Sequence, residues 1–121
     1  MRFKMKTGLI ILFSLCFSII SYSQSTTPNN PDWVEDLIVQ YKNESVGNHP
    51  QSIWRYNYKG KIVYYVPPQC CDQFSTLYDE KGNELGAPDG GMTGNGDGRF
   101  TDFFTARTDE KLIWQDSRHR K

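Results

Sequence analysis

The chain has 121 residues, with 14 basic and 14 acidic side chains, and 37% of its residues are hydrophobic. A chain of this length supports one small domain with a modest core. The basic residues form no stripe of the kind that nucleic-acid-binding proteins carry, so we expect no nucleic-acid partner.

The first 23 residues have the pattern of a secretory signal peptide. Basic residues at positions 2, 4 and 6 precede an uncharged apolar run over residues 8–20, and Ser-Tyr-Ser then leads to Gln24. This order of charge, apolar core and small residues is typical of a cleavable export signal. The run is shorter than the ~20 apolar residues of a membrane-spanning helix. We therefore predict a periplasmic or extracellular protein, cleaved near Ser23-Gln24, with no membrane span in the mature chain.

Cleavage at that point leaves 98 residues with 11 basic and 14 acidic side chains, a formal net charge of −3. Residues 24–30 are rich in Ser, Thr, Asn and Pro and contain no apolar residue, which predicts a flexible leader. Residues 31–116 then form a single predicted domain. The last five residues, 117–121, have the composition of a short basic tail.

The predicted domain begins with an amphipathic helix. Asn30 suits the N-cap position, and Pro31 suits the first helical position. At helical spacing, one face collects the apolar side chains Trp33, Val34, Leu37, Ile38 and Tyr41. This face predicts packing on the protein's own sheet. We expect the helix to end in the polar segment 43–50.

The clearest hairpin signal lies in residues 52–66, where two aromatic and β-branched runs flank a short turn. We expect a three-residue loop over residues 58–60 with its glycine in the left-handed conformation, which pairs Tyr56 with Ile62. This register gathers the large apolar side chains on one face of the hairpin. The other face is then polar.

The remaining elements are a second hairpin, a loop, a short helical turn and a last strand. The hairpin covers residues 74–85 and has an Asp-to-Gly type I turn, and residues 87–99 form a loop with five glycines. Residues 100–106 fit a turn or short helix, and residues 111–115 fit a strand. One N-terminal helix on a small antiparallel sheet of about five strands is an α+β fold.

Cys70 and Cys71 form the most unusual pair in the chain. In an exported protein, adjacent cysteines can close a disulfide that acts as a redox switch or stiffens a turn. Two free thiols and a bridge to another molecule are the open alternatives. Thiol catalysis is not expected, because the Cys-x-x-Cys spacing is absent and a carboxylate, Asp72, follows the pair.

The glycine-rich residues 89–98 also suggest a calcium site. In the best EF-hand register, Thr93 takes the first ligand position and Phe104 the twelfth, so two key oxygen ligands are missing. A different oxygen cage would use Asp89, Asn95, Asp97 and Asp102. The simpler interpretation is a loop held by Asx turns.

No catalytic set and no cofactor-binding set stands out in the sequence. His49 and His119 have no candidate third ligand for zinc. The leading interpretation is therefore a non-enzymatic module that binds a protein or small ligand outside the cytoplasm. A calcium-ordered protein and a thiol redox protein are the alternatives. Loops on a rigid scaffold commonly carry recognition, so the turn over residues 67–72 and the glycine-rich loop supply the candidate binding surface: Asp72, Asp89, Gly90, Gly91 and Asp97.

Three motifs lie in the second half of the chain: Cys-Cys-Asp-Gln at 70–73, Pro-Asp-Gly-Gly at 88–91 and Gly-Asp-Gly at 96–98. With their surroundings, they resemble a family of small exported bacterial proteins catalogued as a domain of unknown function. The resemblance implies no activity. It implies two further cysteines at the positions of Gly86 and Phe100, which this chain lacks. If those cysteines bridge to the adjacent pair, the pair here has lost its partners.

Overall fold

The structure is a computed structural model that describes residues 30–119. The predicted signal peptide, residues 24–29 of the leader and the last two residues lie outside this range. The described elements, in chain order, are α1 (Asp32–Asn43), β1 (Ser52–Tyr58), β2 (Lys61–Val66), β3 (Thr76–Asp79), β4 (Glu84–Gly86), α2 (Phe103–Ala106) and β5 (Thr108–Gln115). Two helices and five strands make up the predicted α+β class.

The five strands form one sheet in the order β4-β3-β2-β1-β5, and every neighbouring pair is antiparallel. The last strand therefore returns to pair with β1 and forms one edge. It is longer than the sequence predicts, beginning at Thr108 rather than Lys111. Within residues 30–119, no helix has the length and apolar character needed to cross a membrane.

The helix α1 covers one face of the sheet, as its apolar stripe predicts. Val34, Ile38 and Tyr41 are buried against a cluster that includes Ile53 and Tyr64. Burial of this stripe supplies most of the helix's stability, because isolated helices of this length are marginal in water. The helix begins one residue later than its signals suggest, with Pro31 at the N-cap.

The predicted register of the first hairpin is wrong. The loop has two residues, Lys59 and Gly60, with φ values of 50° and 80°, and it pairs Tyr56 with Val63 instead of Ile62. Two positive φ values are typical of a type I′ turn, whose twist matches that of the strands. The expected polar face does not exist, because both faces of the hairpin are covered.

The second face of the sheet packs against α2. Phe103 is fully buried there among Tyr56, Tyr58, Tyr65 and a leucine of β3. Its ring meets those of Tyr56 and Tyr58 edge to face, with centroids 5.6 and 5.4 Å apart. Edge-to-face pairs of this kind add to the free energy gained by burying the rings. The sheet is therefore the middle of three layers.

The second hairpin turns as the sequence predicts. The carboxylate of Asp79 accepts hydrogen bonds from the backbone N–H groups of Lys81 and Asn83. Hydrogen bonds from Asn83 are the main reason that the pKa of Asp79 lies below its ordinary value. The indole of Trp33 donates to the carbonyl oxygen of Glu80 at 2.9 Å, so this turn is also docked on α1.

Candidate functional site

Two loops meet at one end of the sheet. The cysteine segment, residues 67–75, joins β2 to β3, and the glycine loop, residues 87–99, follows β4. The backbone N–H of Gly91 donates to the carbonyl oxygen of Gln73, and that of Ser75 donates to the carbonyl oxygen of Asp89, each at 3.1 Å. The sequence predicts that the turn over residues 67–72 and the glycine-rich loop both contribute to the binding surface. The structure joins them into one composite loop surface.

Glycine is required where the two loops touch. Gly90 has a φ of +85°, and a Cβ there would lie 3.0 Å from the Cα of Phe74 and 3.1 Å from the Cγ of Pro68. A Cβ on Gly91, at a φ of +74°, would lie 2.7 Å from the Phe74 ring. Both predicted binding-surface glycines therefore bring the backbones together, and they are half-buried.

Asp89 is held from inside the domain. The hydroxyl of the buried Tyr65 donates to its Oδ1 at 2.9 Å, and the Ser75 hydroxyl donates to its carbonyl oxygen at 3.0 Å. Burial, followed by the hydrogen bond to Asp89, raises the pKa of Tyr65 above its ordinary range. Asp89 therefore positions the start of the glycine loop against the core, and its carboxylate is already engaged.

Asp97 closes the other end of the glycine loop. Its Oδ2 accepts the backbone N–H of Ala87 at 3.0 Å and the Arg99 guanidinium at 2.7 Å. Hydrogen bonds from Arg99 lower the pKa of Asp97 to about 2. The carboxylate, with 25% of the side chain exposed, holds the two ends of the loop together.

The four predicted calcium ligands do not share partners. The Oδ1 of Asp102 accepts a hydrogen bond from the Tyr58 hydroxyl, and its Oδ2 lies 2.8 Å from Nζ of Lys59. Asp89 and Asp97 have neither of these partners. Asn95 is exposed. In residues 30–119, no group of three or more His, Cys, Asp or Glu side chains is placed to hold a metal ion. The calcium interpretation stays a prediction. A rise in melting temperature on adding calcium that a chelator reverses would support it.

Cys70 and Cys71 are joined by a disulfide. This is the first of the three alternatives that the sequence leaves open. Both residues are exposed, as is the neighbouring Asp72. Cys71 has a φ of 59°, a left-handed conformation that is unfavourable for a residue with a Cβ. The backbone N–H of Gln73 donates to the carbonyl oxygen of Cys70 at 3.1 Å, which closes the turn.

The two positions where the resemblance implies further cysteines lie next to each other. A Cβ on Gly86 would lie 2.7 Å from Cε2 of Phe100. Side chains at these positions therefore contact each other within the domain.

The composite loop surface carries the two most exposed large apolar side chains of the described residues. Met92 is 91% exposed and Phe74 is 58% exposed, beside the disulfide-bearing turn. The strand tyrosines Tyr56, Tyr58 and Tyr65, in contrast, are buried. Loop residues carry no periodic pattern, so no signal in the sequence marks Phe74 and Met92.

A buried polar cluster near the chain end was also missed. His49 is 1% exposed, and its Nε2 lies 3.1 Å from Oδ2 of Asp116 and 3.0 Å from the Arg118 guanidinium. Its Nδ1 lies 2.6 Å from the carbonyl oxygen of Pro50. Because a carbonyl oxygen can only accept, Nδ1 carries a proton. Arg118, expected in a solvated tail, is part of the folded domain.

The model of a protein family described as a domain of unknown function (DUF6970) matches residues 39–116. The match covers every strand of the sheet and both loops of the composite loop surface. No curated protein and no solved structure matches the chain.

Proposed function

The chain belongs to the family described as a domain of unknown function (DUF6970), and from this premise we propose that it is an exported, non-enzymatic binding module. Its contact surface is the composite loop surface, and its partner is a protein or small ligand outside the cytoplasm. One observation carries the proposal: two loops separated in sequence are fastened together and present exposed apolar side chains.

The chemistry of the surface supports binding. Methionine and aromatic residues are enriched in interfaces, and Met92 and Phe74 are the two most exposed large apolar side chains of the described residues. The exposed carboxylate of Asp72 lies at the edge of this surface and supplies a polar contact.

The surface is also fixed before binding. Tyr65 fastens Asp89 to the core, and Asp97 closes the far end of the glycine loop. A loop that is already ordered loses less conformational entropy when it binds. Asp89 and Asp97 therefore act as positioning residues, while the exposed side chains make the contacts.

Substitution of the exposed apolar residues tests the proposal. We expect Met92→Ser and Phe74→Ser each to weaken capture of a partner from the native extracytoplasmic fraction by ~10-fold, as truncation of interface anchors does. Captured partners are identified by mass spectrometry and their affinities measured by titration. Val39→Ser is the matched control, since Val39 is 56% exposed but lies on α1.

Equal capture by wild type, Met92→Ser and Phe74→Ser would place any binding site elsewhere. Equal loss in the Val39→Ser control would show non-specific adhesion. Circular dichroism must show that each variant has the wild-type melting temperature, because otherwise loss of capture reports unfolding.

Export is the second part of the proposal. It is supported by the charge and apolar pattern of residues 1–23, and a disulfide such as Cys70–Cys71 persists best in an oxidising compartment. Intact mass of the protein recovered outside the cytoplasm should correspond to a chain beginning at Gln24. Recovery of the uncleaved chain from the cytoplasm would overturn it.

A further inference from the structure

We propose that the Cys70–Cys71 disulfide is a thiol–disulfide exchange site that accepts electrons from dithiol reductants, and that its reduction releases the tip of the glycine loop, residues 90–96. The inference does not rest on the proposed function, because it concerns the covalent state and order of the protein alone. Three features carry it: access to the sulfurs, the backbone of Cys71, and the hydrogen bonds that connect the turn to the loop.

The disulfide is open to attack. Cys70, Cys71 and Asp72 are all exposed, and exposed disulfides are reduced more readily than enclosed ones. A bond between adjacent residues closes almost no loop, so it constrains the unfolded chain very little. Its presence therefore has a local effect on the turn and little effect on global stability.

The backbone favours release once the bond is open. Cys71 has a φ of 59°, in the left-handed region. A residue with a Cβ is held there only when its surroundings require it. Reduction removes the Sγ–Sγ bond between the two side chains. Cys71, still joined to Cys70 by the peptide bond, can then return to a common backbone conformation.

The dithiol reduces the disulfide in two exchange steps. A thiolate of the dithiol attacks the Sγ of one cysteine, the Cys70–Cys71 bond breaks, and the other cysteine leaves as a thiolate that takes up a proton. The second thiol of the reductant then attacks the mixed disulfide and releases the first cysteine, which is also protonated. Two electrons and two protons pass to the protein, and the dithiol becomes a disulfide.

The turn is connected to the glycine loop through Gln73. Its N–H donates to the carbonyl oxygen of Cys70, and its carbonyl oxygen accepts the N–H of Gly91, each at 3.1 Å. The N–H of Gly96 in turn donates to the carbonyl oxygen of Gly90 at 3.0 Å. A change in the turn therefore moves an acceptor on which the loop tip depends.

The rest of the domain is held by hydrogen bonds that do not involve the disulfide. The Ser75–Asp89 hydrogen bonds and the Tyr65 hydroxyl lie on the core side of the turn. Asp97 independently holds Ala87 at the base of the glycine loop. Reduction should therefore loosen the loop tip and leave the sheet ordered.

Amide hydrogen exchange of the purified protein tests the inference, with dithiothreitol as the dithiol probe. Under native conditions the reduced protein should take up two alkyl groups, detected by intact mass. Exchange at the Gly91 amide should become at least ~10-fold faster on reduction, because local opening sets its rate. The amide of Leu77, a buried residue of β3, should exchange at the same rate in both states.

A Cys70→Ser/Cys71→Ser variant separates the disulfide from other effects of the reductant. Its Gly91 amide should exchange quickly with or without dithiothreitol. Identical Gly91 exchange in the oxidised and reduced wild type would overturn the coupling. Alkylation that requires unfolding would overturn the exchange site. Neither readout depends on a partner, so failure of the binding proposal is recognised separately.

Discussion

Asp116 is the residue at which the segment after β5 is fixed to the domain. Its carboxylate, in a side chain only 2% exposed, accepts hydrogen bonds from the backbone and guanidinium of Arg118. The same guanidinium donates to carbonyl oxygens of Tyr41 and Lys42. The last carbonyls of a helix have no partner within it and attract positive charge. Arg118 therefore joins the segment after β5 to the end of α1.

This contact predicts an acid-sensitive stability. Hydrogen bonds from Arg118 lower the pKa of Asp116 to about 2, from an ordinary value of 3.8. A carboxyl with a lowered pKa in the folded state stabilises that state above its unfolded pKa, and the contribution is lost as pH falls toward the folded pKa. We expect the melting temperature of the wild type to fall between pH 4 and pH 2.

Asp116→Asn should be less stable at pH 7 and should show a smaller fall over the same pH range. The fall that remains is assigned to the other carboxyls whose pKa is lowered in the folded state, Asp79, Asp97 and Asp102. Asp72→Asn, which changes an exposed carboxylate, should follow the wild type. Thermal unfolding by circular dichroism at several pH values measures all three. Parallel curves for Asp116→Asn and wild type would contradict the prediction.

At the scale of elements, the glycine loop differs from the hairpin turns in what determines its shape. Hairpin turns are specified by residues next to one another, such as Lys59 and Gly60. The glycine loop is shaped instead by contacts between residues that are distant in sequence, such as Gly91 with Gln73 of the cysteine segment and Gly96 with Ala87 at its own base. Gly96 lies so close to the Ala87 carbonyl that a Cβ would overlap it, whereas a Cβ on Gly94 would meet nothing within 4 Å.

The two glycines form a matched pair of substitutions. Both have positive φ values, +60° for Gly96 and +77° for Gly94, so alanine at either position should cost about 1–2 kcal/mol of unfolding free energy. Gly96→Ala should cost about 1–3 kcal/mol more, because the backbone must move to admit the methyl group. Urea unfolding measures both. Equal losses would show that the glycine loop is not packed against Ala87.

Element positions were largely predictable, and their pairing was not. The helix stripe, the Asp79 turn and the five-glycine loop follow from local spacing and turn chemistry. The predicted register of β1 and β2 assumed that only one face of the hairpin is apolar and covered. Both faces are covered in the structure, so that assumption selected the wrong register. The short α2, which contains Phe103, has too few residues to reveal a pattern, so its role in covering the second face was missed.

At the scale of the whole molecule, the sheet is stabilised from both sides. The α1 side is an aliphatic and aromatic cluster, and the α2 side is a ring cluster centred on Phe103. Three tyrosines of the second side donate their hydroxyls to carboxylates at its border: Tyr56 to Glu110, Tyr58 to Asp102 and Tyr65 to Asp89. Burial is the main reason that the pKa of Tyr56 is raised to about 12, so these hydroxyls stay protonated as donors.

The double-sided core predicts a large effect from one small helix. Phe103→Ala should cost about 3–5 kcal/mol of unfolding free energy, as deletion of a fully buried ring does. Since a domain of this kind has about 5–15 kcal/mol in total, much of its stability should disappear. Phe104→Ala, at a ring that is 42% exposed, should cost clearly less. Chemical denaturation of both variants measures the difference, and equal costs would show that α2 does not cover the sheet.

The sequence by itself determined the features that depend on neighbouring residues: the helix, the turns, the glycine-rich loop, and the adjacency of Cys70 and Cys71. Only the tertiary structure decided which loops share a surface and which distant polar groups form hydrogen bonds. Arg118 and Tyr41 are 77 positions apart, and Tyr65 and Asp89 are 24 apart. Such contacts form only when the chain packs. They could not be predicted, because proximity between distant residues leaves no periodic pattern in a single sequence.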